Sequence, residues 1–136
     1  MKLPIAFDFD GTITLNNEYP NCGKLRPGID DCIRSLALEG YPIIIYTCRD
    51  AINEASTEAY CMMIEYLRDN GIMYTCINRN ASPSAAFNPY KPFAAIYVDD
   101  CALGWDDTWT GGDIYKMIMR RLFDNKVNTL NIEHTL

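Results

Sequence analysis

The sequence holds a single histidine, His134, and its six cysteines (Cys22, Cys32, Cys48, Cys61, Cys76, Cys101) include no CxxC pair and none close to that histidine. Neither a zinc site built from Cys and His nor a dithiol redox motif is signalled, and the scattered thiols fit a reducing cytoplasm. No apolar run approaches the length of a membrane span, and the opening "MKLPIAFDFD" turns acidic before the apolar segment of a signal peptide could develop. The expectation is a soluble, cytoplasmic protein that engages no membrane. Positive charge is also scarce: 12 Lys and Arg against 18 Asp and Glu leave a formal charge of -6. Such a chain repels a polyphosphate backbone, which disfavours extended nucleic-acid binding but not a small phosphorylated substrate. Repeats, low-complexity tracts and Pro/Gly/Ser linkers are missing too, so residues 1–136 are expected to form one domain.

What is present is an alternation of two patterns. "LPIAFDF", "YPIIIYT", "IMYTCI" and "FAAIYVDD" are nearly continuous in apolar residues, as strands buried on both faces are. Between them lie amphipathic helices. In "RPGIDDCIRSLALEG" the residues Ile29, Cys32, Ile33, Leu36 and Ala37 share one face, Pro27, Asp30 and Asp31 suit the first turn, and Gly40 suits the stop. A second helix is predicted from Glu54 to Asn70, with Ala59, Met62, Met63, Tyr66 and Leu67 on its face. A third is predicted from Gly112 to Asp124, with Ile114, Met117, Ile118 and Leu122. The order predicts an α/β fold, a doubly wound three-layer parallel sheet of Rossmann-like kind.

In such sheets ligands bind outside the carboxyl ends of the strands. Asp8 and Asp10 fall at the end of the first strand, Thr47 and Arg49 at the end of the second, and Asp99 and Asp100 at the end of the fourth. Two carboxylates one residue apart repel each other, and the cluster calls for a cation between them. Magnesium suits hard oxygen ligands, and with a hydroxyl and a lysine nearby the group is suited to phosphoryl chemistry. Thr47, through its hydroxyl and backbone N–H, and Lys91, as a point charge, are the expected phosphoryl donors. Arg49 is a further candidate for that role, or else pairs with a nearby acid.

The segments "DFDGT" (Asp8 to Thr12), "IIIYT" ending in Thr47, Lys91, and "IYVDD" ending in Asp99 and Asp100 resemble, in order, the four motifs of the haloacid dehalogenase superfamily. The likeness spans roughly Lys2 to Asp107. It implies that Asp8 is the nucleophile, forming an aspartyl-phosphate, and that Asp10 is the general acid and base. It also implies that magnesium is held by Asp8, the backbone carbonyl of Asp10 and Asp100, with Asp99 either sharing the metal or bonded to Lys91. An acid rather than threonine at Asp10 resembles the phosphatases and phosphomutases of the superfamily rather than its ATPases, and implies rapid hydrolysis of the intermediate. One departure concerns Lys91, since "NPYKPFAAIYVDD" leaves only a short turn before the last strand, where relatives often open a helix.

The segments Leu15 to Arg26 and Cys48 to Tyr90 leave room for a flap but no large cap domain. An open site of this kind takes a bulky substrate that closes it, or is closed by a neighbour in a homo-oligomer. Asn16, Asn17, Glu18, Tyr19, Asn53, Asn78, Arg79 and Asn80 are secondary candidates for substrate contact. The expected substrate is a small phosphorylated metabolite or nucleotide. The alternative from another class is a phosphate- or metal-sensing protein on the same scaffold that does not turn over. A receiver-type signalling domain is disfavoured because its phosphoacceptor would follow the third strand. Asp106 and Asp107 are expected in a solvated loop, Trp105 and Trp109 in packing or an oligomer contact, and His134 without a role.

Overall fold

The apolar runs become short strands. The computed structural model describes residues 2–81 and 91–135, with side chains up to residue 124. In it β1 (Ile5–Phe7), β2 (Ile43–Ile45), β3 (Cys76–Ile77) and β4 (Ile96–Val98) form one sheet, parallel throughout, in the order β3-β2-β1-β4. The helices are α1 (Ile29–Leu38), α2 (Glu54–Asp69) and α3 (Gly111–Thr135). The α/β parallel sheet expected from the alternation is thus present, and no cap domain interrupts the described residues. α3 runs past the predicted end at Asp124 because neither glycine nor proline follows to stop it. It takes in His134, whose side chain lies outside the described ones.

Successive strand residues face opposite ways. Ile5, Phe7, Ile43, Ile45 and Val98 form one core with Ile29, Ile33 and Leu36 of α1, Met63 and Leu67 of α2, and Ile114 and Ile118 of α3. Ala6, Ile44, Cys76 and Ala94 form a smaller cluster on the other face. That face is approached by the β3–β4 connector, whose residues 82–90 lie outside the described part, and with them any third layer there. Met117, expected on the core face of α3, is exposed, and Met119 packs on the core instead.

The chain winds from β1 to β2 to β3 and then crosses back to place β4 on the far side of β1. The direction reverses between β1 and β4, which makes the crevice beyond their carboxyl ends the natural binding place. After β1 the loop Phe9–Ile13 folds back, with the Thr14 N–H bonded to the Phe9 carbonyl at 3.1 Å. An excursion over residues 15–24 follows, closed at its base by Leu15 N–H to Lys24 O (2.8 Å) and Arg26 N–H to Ile13 O (2.8 Å). This is the expected flap.

Candidate active site

Asp8 leaves β1 with its N–H bonded to the Val98 carbonyl at 2.9 Å, which aligns it with the end of β4 and the two acids that follow. Its carboxyl is pushed up to about 8 by burial first, then by a hydrogen bond shared with Asp100 and by the charges of Asp99 and Asp100. Thr12, fully buried, knits the group together. Its hydroxyl accepts the Asp100 N–H at 2.8 Å and lies 3.0 Å from the Asp100 Oδ1 and 3.4 Å from the Asp8 Oδ2. Gly11 has φ +84°, and a Cβ there would lie 2.8 Å from the Asp100 Cγ. Only glycine meets both the left-handed backbone and the close approach of that carboxylate.

Asp10 faces a different partner. The guanidinium of Arg49, 1% exposed, holds it with a two-pronged pair, Nε to Oδ2 and Nη2 to Oδ1, both 2.8 Å. The other Arg49 donors reach the carbonyls of Pro20 (2.9 Å), Asn21 (2.7 Å) and Ala59 (2.8 Å). The rings of Phe9 and Tyr19 flank the guanidinium at 5.2 and 5.0 Å. Burial acts to lower the Arg49 pKa, but the bonds and charge of Asp10 outweigh it and the group is held above its ordinary value. All five donors are engaged. Of the two roles open to Arg49, the structure shows pairing with an acid, and no donor is left for a phosphoryl group in this arrangement.

Thr47 is buried at the end of β2. The N–H expected to serve a phosphoryl group is instead bonded to the Asn78 Oδ1 at 2.8 Å, and the hydroxyl accepts the Arg49 N–H at 3.1 Å, which leaves its own proton to donate. Asn78, at φ +53°, also donates to the Arg49 carbonyl at 3.3 Å, so it splints the β2 and β3 ends. Lys91 is exposed, with its ammonium over the Tyr97 ring at 4.6 Å. It lines, with Asp8, Asp99, Tyr46 and Cys101, an open cavity of about 310 Å³. Asp99 accepts the Cys101 N–H at 2.9 Å.

Several other candidates have structural partners. Asn53 caps α2 in a reciprocal pair with Ser56, Asn17 accepts the Tyr19 N–H, and Asn80 accepts the Phe93 N–H. Asp106 caps the turn at Thr108, whose bonds hold its carboxyl low, while Asp107 accepts from the Trp105 indole. Trp105 and Trp109 pack edge to face at 5.1 Å against the core. Sequence reasoning gave no role to Thr12, the structural clasp, or to Arg26. The latter is fully buried and donates to the carbonyls of Gly11 (2.9 Å), Thr12 (2.7 Å), Asp107 (2.9 Å) and Trp109 (2.8 Å). It tethers the glycine turn after β1 to the loop before α3.

Among the described residues no ion pair engages Asp8, Asp99 or Asp100. Asp99 and Asp100 bring their oxygens, with the Cys101 sulfur, within 4.8 Å of one another. The Asp100 and Asp99 charges push the Cys101 thiol up. The carboxylate oxygens of Asp8, Asp99 and Asp100 are hard donors, and without an ion pair among the described residues they fit a divalent cation of magnesium type.

No family model matches the chain, and no curated protein matches it. The chain is similar to the solved structure of a conserved protein coded by a locus of Bacteroides thetaiotaomicron, at 29% sequence identity and a TM-score of 0.70, over 89% of this chain and 93% of that one. No helix among the described residues is long and apolar enough to cross a membrane.

Proposed function

We infer that the protein is a magnesium-dependent phosphomonoester hydrolase of haloacid dehalogenase type, working through an aspartyl-phosphate on Asp8. One observation carries the reading. Asp8, Asp99 and Asp100 converge beyond the β1 and β4 ends with no ion pair to any of them among the described residues, and burial together with the neighbouring acids holds Asp8 near 8. Acids crowded at that cost serve a ligand that brings charge of the opposite sign.

Asp8, Asp100 and the backbone carbonyl of Asp10 would hold magnesium, with Asp99 beside them. When bound, the ion supplies charge neutralisation for both the nucleophile and the phosphoryl oxygens. An Asp8 oxygen attacks phosphorus and the ester oxygen departs with a proton given by Asp10. In the second step Asp10 takes a proton from water as the hydroxide displaces Asp8 from phosphorus. The free hydroxyl proton of Thr47 and the Lys91 ammonium are the donors to the phosphoryl oxygens. The acidic chain and open cavity suit a small phosphorylated metabolite or nucleotide.

The test is phosphate release from p-nitrophenyl phosphate and a panel of small phosphomonoesters, with magnesium or chelator, for wild type and Asp8→Asn. Magnesium-dependent release that disappears in Asp8→Asn is the expected result. Release that survives in Asp8→Asn removes the covalent route. No release from folded, magnesium-loaded wild type points either to a narrow or macromolecular substrate or to the sensing alternative.

A further inference from the structure

The guanidinium of Arg49 joins three parts of the molecule that share no sequence neighbourhood. It touches the loop after β1 through Asp10, the flap through the carbonyls of Pro20 and Asn21, and α2 through the carbonyl of Ala59. The side chain is fully buried, and every donor it has is used. A planar fork bonded to both oxygens of a carboxylate fixes rotation about the Cβ–Cγ bond, because turning the carboxylate breaks both bonds at once. Two of the four lone-pair positions of Asp10 are taken this way and the outer ones remain for a proton. Asp10 keeps 12% side-chain exposure, so it is reachable from outside while Arg49 is not.

On the reading of the site given above, we propose that Arg49 is the positioning residue of the general acid: it locks the Asp10 carboxylate in the orientation that delivers the proton, and it borrows its own rigidity from the flap carbonyls it holds. Arg49 does not touch substrate and acts through Asp10. In a chain without a cap domain among its described residues, the flap thereby sets the geometry of proton transfer rather than merely covering the crevice. Tyr19, half-exposed on the flap with its ring 5.0 Å from the guanidinium, is the outer end of this linkage.

The prediction separates positioning from general support of the fold. Proton delivery matters most for ester oxygens that leave poorly and least for those that leave unaided. The magnesium-loaded protein is assayed on aryl phosphates graded from 2,4-dinitrophenyl to phenyl phosphate, as wild type, Arg49→Lys, Asp10→Asn and the double variant. For Arg49→Lys, kcat/KM, which reports the first step and not the water activation by Asp10 that all the esters share, is expected to fall on the order of 10²-fold for phenyl phosphate, the usual size of a misplacement penalty. For the dinitrophenyl ester the loss is expected to stay within about threefold, because little proton transfer is needed there. The double variant should be no slower than Asp10→Asn alone, since residues acting as one unit are not additive. Hydrogen exchange on Arg49→Lys checks the fold independently: amides of the flap exchange faster while those of β1 and β2 keep their protection.

Equal losses across the ester series, or additive losses in the double variant, overturn the positioning role while leaving the phosphatase reading intact. Loss of protection throughout the sheet shows a purely structural arginine and overturns it as well. Absence of hydrolysis by wild type on every ester overturns the phosphatase reading and this one with it.

Discussion

Asp8 carries a proton that the fold favours over its charge. Its carboxyl sits at about 8 in the folded chain against an ordinary 3.8, through burial and the nearby Asp99 and Asp100. Between those values the folded protein holds a proton that the unfolded chain has released, so stability falls as pH rises across that window. The contribution is fully present below the ordinary carboxyl value and is gone once the pH passes the folded one. In chelator, the melting temperature of wild type should therefore be lower at about pH 8.5 than at about pH 6. Asp8→Asn, which cannot ionise, should flatten that slope and exceed wild type in stability at the higher pH, while losing turnover. Identical slopes for the two proteins would assign the pH dependence to other groups. Gly11 is the neighbouring constraint: Gly11→Ala meets both the positive φ and the Asp100 carboxylate, and is expected to cost about 1–3 kcal/mol in a denaturant titration as an overpacked site.

The elements are held at the site by two buried arginines whose partners are mostly main-chain carbonyls. Arg26 bonds four of them, two in the turn after β1 and two in the loop before α3. Arg26→Met keeps much of the volume but leaves those carbonyls short of donors, and each buried orphan costs about 1–3 kcal/mol. A loss of at least about 3 kcal/mol is expected in the same titration, and a loss below about 1 kcal/mol would mean that water replaces the guanidinium. This layer could not be read from the sequence. The order of strands and helices was readable because apolar continuity and the spacing of Ile29, Ile33 and Leu36 report burial directly. Asp8, Asp10, Thr47, Asp99 and Asp100 were readable as a group because each follows such a run. Strand length was not, since continuity reports burial and not pairing, and the seven-residue run "LPIAFDF" pairs only over Ile5–Phe7. The burial of Arg26 and Arg49 was not either, because carbonyls carry no residue identity and the partners come from distant loops. The same holds for the α1–α3 seam, where a Cβ on Gly111 would run into the Gly28 carbonyl.

For the molecule as a whole, the open crevice between β1 and β4 makes charge the quantity to follow. The chain is already acidic by six charges, and three of its acids meet where the direction of winding reverses. A divalent cation bound there stabilises the folded chain over the unfolded one by mass action, by about 2.7 kcal/mol when its free concentration is 100 times its dissociation constant. Magnesium added to metal-free protein is therefore expected to raise the melting temperature, more in wild type than in Asp8→Asn. Binding also requires Asp8 as a carboxylate, and at about pH 7 a group held near 8 is still mostly protonated. Titrating magnesium into weakly buffered, metal-free protein should then release protons, fewer as the pH is raised past the Asp8 value and almost none from Asp8→Asn. Proton uptake, or a thermal shift of equal size in both proteins, would place the cation away from Asp8 and leave the crowded acids without the partner that their geometry calls for.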